Sequence, residues 1–330
     1  MNEINSHHQE DPPCYKLSES EYSGLLETIG ENWRNDLCER LTGLFNDELL
    51  QGKHYCLIVP GSDGKKERHP QSKTEIILLL DQNNPQLEKE VRKKIVISRS
   101  KNPTIGPLEI KIVGQEKSPL SFFNHSPQRV YPDRVLNSYL LIGDPSLYFK
   151  ARQQVLEEMQ TKKVRSKMRN QLRQYKKAIA TGQYRGLAVF SEEKGEQYYF
   201  ENANSKEIRF GFKIAFLRAV QRKLDLLTIN LIKEGKESVD TLAKSLPTNT
   251  AARIEYLAQR GFLNQDLAPR LQMAYLWFLK NYHQTQETFS KNKHQIAAVP
   301  FNKKRFAAAK RIIIAFVGPL GPAKNPTLHP

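Results

Sequence analysis

The sequence predicts an α+β fold, a small mixed-sheet domain followed by a mainly helical domain. Short apolar runs bounded by Gly, Pro and Asn crowd the stretch from Tyr55 to Gly114, and helical three- and four-residue periodicity takes over from Pro145. The order in the first part is helix, strand, turn, strand, helix, strand, which belongs to an α/β or α+β layer rather than to an all-helical one. At 330 residues the chain has room for about two domains. Its 39% hydrophobic and 26% charged residues exclude a fibrous or wholly disordered chain. The boundaries read as a polar tail over 1–19, the sheet domain over 20–145, the helical domain with a short hairpin over 146–290, and a basic tail over 291–330.

Each element has a local reason. Leu25, Ile29, Trp33, Leu37, Leu41 and Leu44 recur at helical steps over 20–50, and Gly52 closes that helix. Tyr55 to Val59, ending at Pro60-Gly61, and Glu75 to Asp81, ending at Asn83-Asn84-Pro85, are apolar runs of strand length. Leu108 to Val113 alternates in two-residue steps between Gly106-Pro107 and Gly114. Val164, Met168, Leu172, Tyr175 and Ile179 form an apolar helical stripe, and Leu187 to Phe190 with Gln197 to Phe200 reads as a hairpin turning through Glu192 to Gly195. Three helices follow, Phe212 to Lys233 stopped by Gly235, Thr250 to Gln259 stopped by Gly261, and Leu267 to Thr288. In the last segment Lys303 to Val317 reads as a short docking helix or strand.

The stretch that carries chemistry is Gly61-Ser62-Asp63-Gly64-Lys65-Lys66-Glu67, followed by Ser72-Lys73-Thr74-Glu75 at the head of a strand. This layout resembles the nucleotidyltransferase superfamily of DNA polymerase β type, and most closely its branch of PII uridylyltransferases and related regulatory proteins, whose turn reads Gly-Ser-x-Gly-Arg-x-Glu. The resemblance implies that Gly61, Ser62, Gly64 and Lys65 bind a nucleoside triphosphate through a turn that lets backbone approach phosphate closely. It implies catalytic positions at Lys73 and Glu75, where the family has two aspartates, and at Glu109 for a third carboxylate from the neighbouring strand. Such a carboxylate set holds two divalent ions about 4 Å apart. Pro132-Asp133-Arg134-Val135-Leu136, Gly143-Asp144 and Thr250 to Ile254 extend the similarity more loosely, over about residues 20 to 290.

The departure from the family pattern decides the expected activity. Lys73 puts an ammonium in place of the first ligand, and a like charge beside two metal ions repels them strongly in a poorly solvated cleft. The leading expectation is therefore a nucleotidyltransferase-fold protein with impaired or lost transfer, binding a nucleotide, nucleic acid or protein partner in a regulatory role. An active enzyme would need Mg²⁺ held by Glu75 and Glu109 with a compensating ligand such as Asp81 or Asp63, moving a nucleoside monophosphate to protein or RNA. A third reading is a basic RNA-binding or scaffold protein.

The net charge of +16 and pI near 9.6 favour anionic partners, nucleic acid or acidic protein. Arg165, Arg169, Arg173 and Lys177 lie in a run without one acid, open to reading as a phosphate-binding face or as the solvated side of an amphipathic helix. His54, His69 and His125 have no partner at metal-ligand spacing, and Cys14, Cys38 and Cys56 fit neither a zinc nor a disulfide pattern. A polar N-terminus and the lack of any long apolar segment lead to the expectation of a cytoplasmic protein with no transmembrane span.

Overall fold

The computed structural model describes residues 54–60, 74–82, 84–101, 105–113, 134–184, 187–188, 193–194, 197–198, 211–291 and 301–318. The helix expected over 20–50, the Gly61 to Glu67 turn and Ser72-Lys73 lie outside them. The architecture is α+β: a four-stranded sheet followed by helices.

Strand β1 (Tyr55–Val59) pairs antiparallel with β2 (Thr74–Leu80) and with β4 (Tyr139–Gly143), while β2 pairs parallel with β3 (Ile105–Ile112), giving the order β3-β2-β1-β4. The sheet is thus mixed. A parallel pair needs a crossover, and α1 (Pro85–Lys101) supplies it. Alternate residues of β1 and β2 feed opposite layers. Leu57, Val59, Ile76, Leu78 and Leu80 pack with Leu87, Val91 and Ile95 of α1, whereas Cys56, Ile58, Ile77 and Leu79 face the main core. Burial on both faces is why β1 and β2 read as unbroken apolar runs.

β3 begins at Ile105, three residues before the predicted start, and so contains Gly106 and Pro107, which the sequence marked as a turn. It is an edge strand, where a missing backbone N–H need not break the ladder. β4 has no counterpart among the strands that the sequence predicts. Arg134 to Asn137 form a turn before it, and Asp144 caps the following helix α2 (Pro145–Met159), its side chain accepting from the Ser146 backbone N–H at 2.8 Å.

α3 (Lys162–Thr181) starts at the Thr161 cap and ends at Gly182, which has φ +69. The expected hairpin is re-paired. Gln183–Tyr184 (β5) pairs with Leu187–Ala188 (β6), and Glu193–Lys194 (β7) with Gln197–Tyr198 (β8), which also pairs with Phe301–Asn302 (β9). Two separate pairings thus stand where the sequence predicts one hairpin.

A π-helical segment, Gly211–Leu217, leads into α4 (Arg218–Lys233). A short α5 (Val239–Ser245), which the sequence reading did not include, precedes α6 (Thr250–Gln259) and α7 (Leu267–Lys291). The basic segment Lys303–Val317 is a helix, α8, with Phe306, Ala309, Ile312, Ile313, Phe316 and Val317 buried in the main core. Phe216 stacks on Phe278 at 4.1 Å between centroids, and Phe306 closes on both rings edge-on at 5.7 and 5.8 Å. One cluster of buried residues is continuous from Cys56 in the sheet to Val317.

Candidate functional site

The topology sets two of the sequence-predicted carboxylate positions, Glu75 and Glu109, on the adjacent strands β2 and β3. The chain leaves β1 at Pro60 and re-enters at Thr74, and Ile58 is registered opposite Ile77, so the end of β1 and the start of β2 lie side by side. β3 runs parallel to β2, with Glu109 in register opposite Ile77, two residues along from Glu75. The start of β4 closes the same end, with Tyr139 opposite Val59.

Glu75 stands exposed at this end, on a strand that is otherwise buried. Its carboxylate meets a guanidinium: Arg134 Nη2 donates to Glu75 Oε2 at 3.4 Å, across 59 residues of sequence. Arg134 belongs to the turn before β4 and is mostly covered, with its side chain 18% exposed against 48% for Glu75. Beside it, Thr74 is buried, and its Oγ1 has no hydrogen-bond partner among the described residues.

No family model matches the chain, and no curated protein matches it.

Of the nucleotide-binding positions, Gly61, Ser62, Gly64 and Lys65 lie outside the described residues, as does Lys73. In the sequence Arg134 stands out only as part of the looser similarity over Pro132 to Leu136. The signal that singles it out is pairing of β1 with β4, which carries the turn before β4 to the head of β2. Asp81, considered as a compensating ligand, is removed from that role by the topology. It follows the far end of β2, where its backbone N–H donates to the His54 carbonyl, six residues and roughly 20 Å of strand from Glu75.

That far end holds its own polar contact. His54 Nδ1 lies 3.3 Å from Asp144 Oδ2, and the Asp144 carboxyl is held below its usual range, chiefly by the Ser146 hydrogen bonds and less by His54. Burial, with the Asp144 charge second, pushes the Cys56 thiol far up, so it is no nucleophile. No group of three or more His, Cys, Asp or Glu side chains suited to a metal ion occurs among the described residues. No described helix is long and apolar enough to cross a membrane.

The basic positions fall on α3. Val164, Met168, Leu172, Tyr175 and Ile179 are buried, as the stripe predicts, while Arg169, Arg173 and Lys177 are exposed and Arg165 half-buried. Arg173 donates to Asn170 Oδ1 at 3.1 Å. Two groups near this helix were not singled out from the sequence. Lys223 of α4 is half-buried and its ammonium is destabilised by burial and then by the charge of Lys176. Glu158, buried in the last turn of α2, has its carboxyl pushed up to about 7 by desolvation, with Lys163 pulling the other way.

Proposed function

We propose that the end of the sheet around Glu75 is a degenerate nucleotidyltransferase-type pocket, which binds a nucleoside triphosphate in a regulatory role without conventional two-metal transfer. The observation that carries this reading is the Arg134 guanidinium at 3.4 Å from the Glu75 carboxylate. It occupies one carboxylate that the family reaction would give to metal. A unit positive charge about 4 Å from a divalent ion costs about 2 kcal/mol in water and about 8 kcal/mol at the intermediate dielectric of a protein surface, twice the figure for two unit charges. Lys73, two residues before Glu75, adds a second cation to the same segment. Two cations suit triphosphate oxygens as well as they oppose Mg²⁺, and they bind phosphate without a metal bridge.

The register of Glu109 opposite Ile77 favours a second reading, an active Mg²⁺-dependent nucleotidyltransferase acting on a protein or RNA acceptor. Calorimetric titration of ATP, GTP, CTP and UTP, with and without Mg²⁺, separates the two. The native protein is expected to bind a triphosphate equally well in either condition, and the double variant Lys73→Asp/Arg134→Met to become Mg²⁺-dependent. Binding by the native protein only with Mg²⁺ puts the enzyme reading ahead. Absence of binding by both forms overturns the pocket.

A further inference from the structure

Helix α3 carries eight Lys and Arg and no Asp or Glu over its 20 residues. Arg165, Arg169, Arg173 and Lys177 follow one another at steps of four, so each stands one turn above the last. Lys162, Lys163 and Arg165 crowd the first turn, where the helix dipole already presents its positive end. Like charges at this spacing and cations at that terminus both work against the helix. A face that needed only solvation would interleave acids, as other helices of this chain do: Glu88 pairs with Arg92 at 2.8 Å on α1, and Asp240 with Lys244 at 2.9 Å on α5. None of Lys162, Lys163, Arg165, Arg169, Arg173, Lys176 and Lys177 forms an ion pair among the described residues. Among the described residues Lys163 acts on the Glu158 carboxyl, which burial pushes up to about 7.

The C-terminal half of the helix concentrates charge further. Lys176 donates to the Gly318 carbonyl at 2.7 Å, which fixes its ammonium at the end of α8, and Lys223 from α4 is close enough to feel its charge. Two ammonium groups brought together from separate helices lower their mutual repulsion when an anion lies between or across them.

We propose that the outer face of α3, formed by Lys162, Arg165, Arg169, Arg173 and Lys177 with the neighbouring pair Lys176 and Lys223, docks the phosphate backbone of a nucleic acid. From Lys162 to Lys177 the face is roughly 22 Å long at the helical rise. A duplex presents one negative charge per about 1.7 Å of axis, so a dozen or so phosphates pass within its reach. Contacts of this kind position the partner without reading bases. A membrane surface fits less well, because an interfacial helix must bury its apolar side in lipid and that side of α3 lies in the protein core. An acidic protein partner fits less well too, since stable protein interfaces rest on apolar anchors that this face lacks. The proposal is independent of the pocket at Glu75, on a different element, and either can fail alone.

The test is fluorescence anisotropy of the full chain with labelled single-stranded RNA and duplex DNA of about 20 nucleotides, over roughly 50 to 200 mM salt. Log affinity is expected to fall linearly with log salt. The triple variant Arg169→Gln/Arg173→Gln/Lys177→Gln should lose about two to three units of slope and at least about tenfold in affinity. Lys89→Gln/Lys93→Gln/Lys236→Gln removes the same net charge from exposed sites elsewhere and should keep the native slope. Arg169→Lys/Arg173→Lys, which keeps the charge, should keep it too. All these side chains are exposed, and unchanged thermal midpoints confirm that the variants are folded. Absence of binding by the native protein at low salt overturns the proposal. So does equal loss in both triple variants.

Discussion

Gly143 has φ +103, and a Cβ there would run into the Tyr55 carbonyl oxygen and come within 2.7 Å of the Cys56 Cα. Both neighbours are backbone of β1, which cannot swing aside. Gly143→Ala is therefore expected to destabilise the protein on the order of 3 kcal/mol, read as a lower urea midpoint. Glu158 gives a prediction with a pH signature. Its carboxyl is pushed up to about 7 in the fold, from an ordinary value of 4.5, because burial penalises the charged form and Oε1 has no hydrogen-bond partner among the described residues. As pH rises through this window the unfolded chain releases the proton first, so stability falls between about 4.5 and 7 and then levels off. Glu158→Gln removes that loss. It should raise stability at pH 8 by about 1–2 kcal/mol and leave it unchanged below pH 5, measured by urea unfolding at each pH.

At the scale of elements, two buried groupings make separable predictions. Arg222, Asp225 and Arg253 are all within 5% of full burial, and the carboxylate accepts from both guanidinium groups, at 3.0 and 3.3 Å. Arg253 also donates to the Pro247 carbonyl at 2.7 and 2.9 Å, tying α6 to the loop before it. Asp225→Ala strands two buried cations and should cost about 3–5 kcal/mol. Phe306→Ala opens the aromatic packing between α7 and α8 and should cost a similar 3–5 kcal/mol in the same urea assay, whereas an appended tail would tolerate it. Elements whose apolar period was long and capped were legible: α6 spans the predicted Thr250 to Gln259, and the α3 stripe is buried as read. Elements defined by pairing were not. β4 is a five-residue run whose strand identity comes from β1, and the two short strand pairs of the hairpin region are likewise defined by their partners. The candidate site divides the same way. Glu75 could be marked from its motif, but Arg134 reaches it only through the β1–β4 pairing, which no local pattern encodes.

For the whole molecule, the decisive fact is that a single cluster of buried residues runs from the sheet into the last helix. Cys56, Ile58, Ile77 and Leu79 of the sheet belong to it with Leu147, Ala151 and Val155 of α2, and so do Phe216, Phe278 and Phe306 among the helices. Arg152, buried in α2, reinforces the junction by donating to the Leu246 carbonyl at 2.6 Å, at the end of α5. A chain of 330 residues would ordinarily unfold in steps. A shared core instead couples the sheet to the helices, because exposing the sheet face also strips the apolar surface that covers it. Ile58→Ala in the sheet and Phe306→Ala in α8 are therefore expected to shift one common urea transition, with far-ultraviolet and near-ultraviolet circular dichroism changing together. If Ile58→Ala instead produced an earlier, separate loss of strand signal while the near-ultraviolet signal of the aromatic rings stayed at its native midpoint, the sheet would be an independent unit. The Arg134 to Glu75 contact would then have to be maintained by the sheet alone.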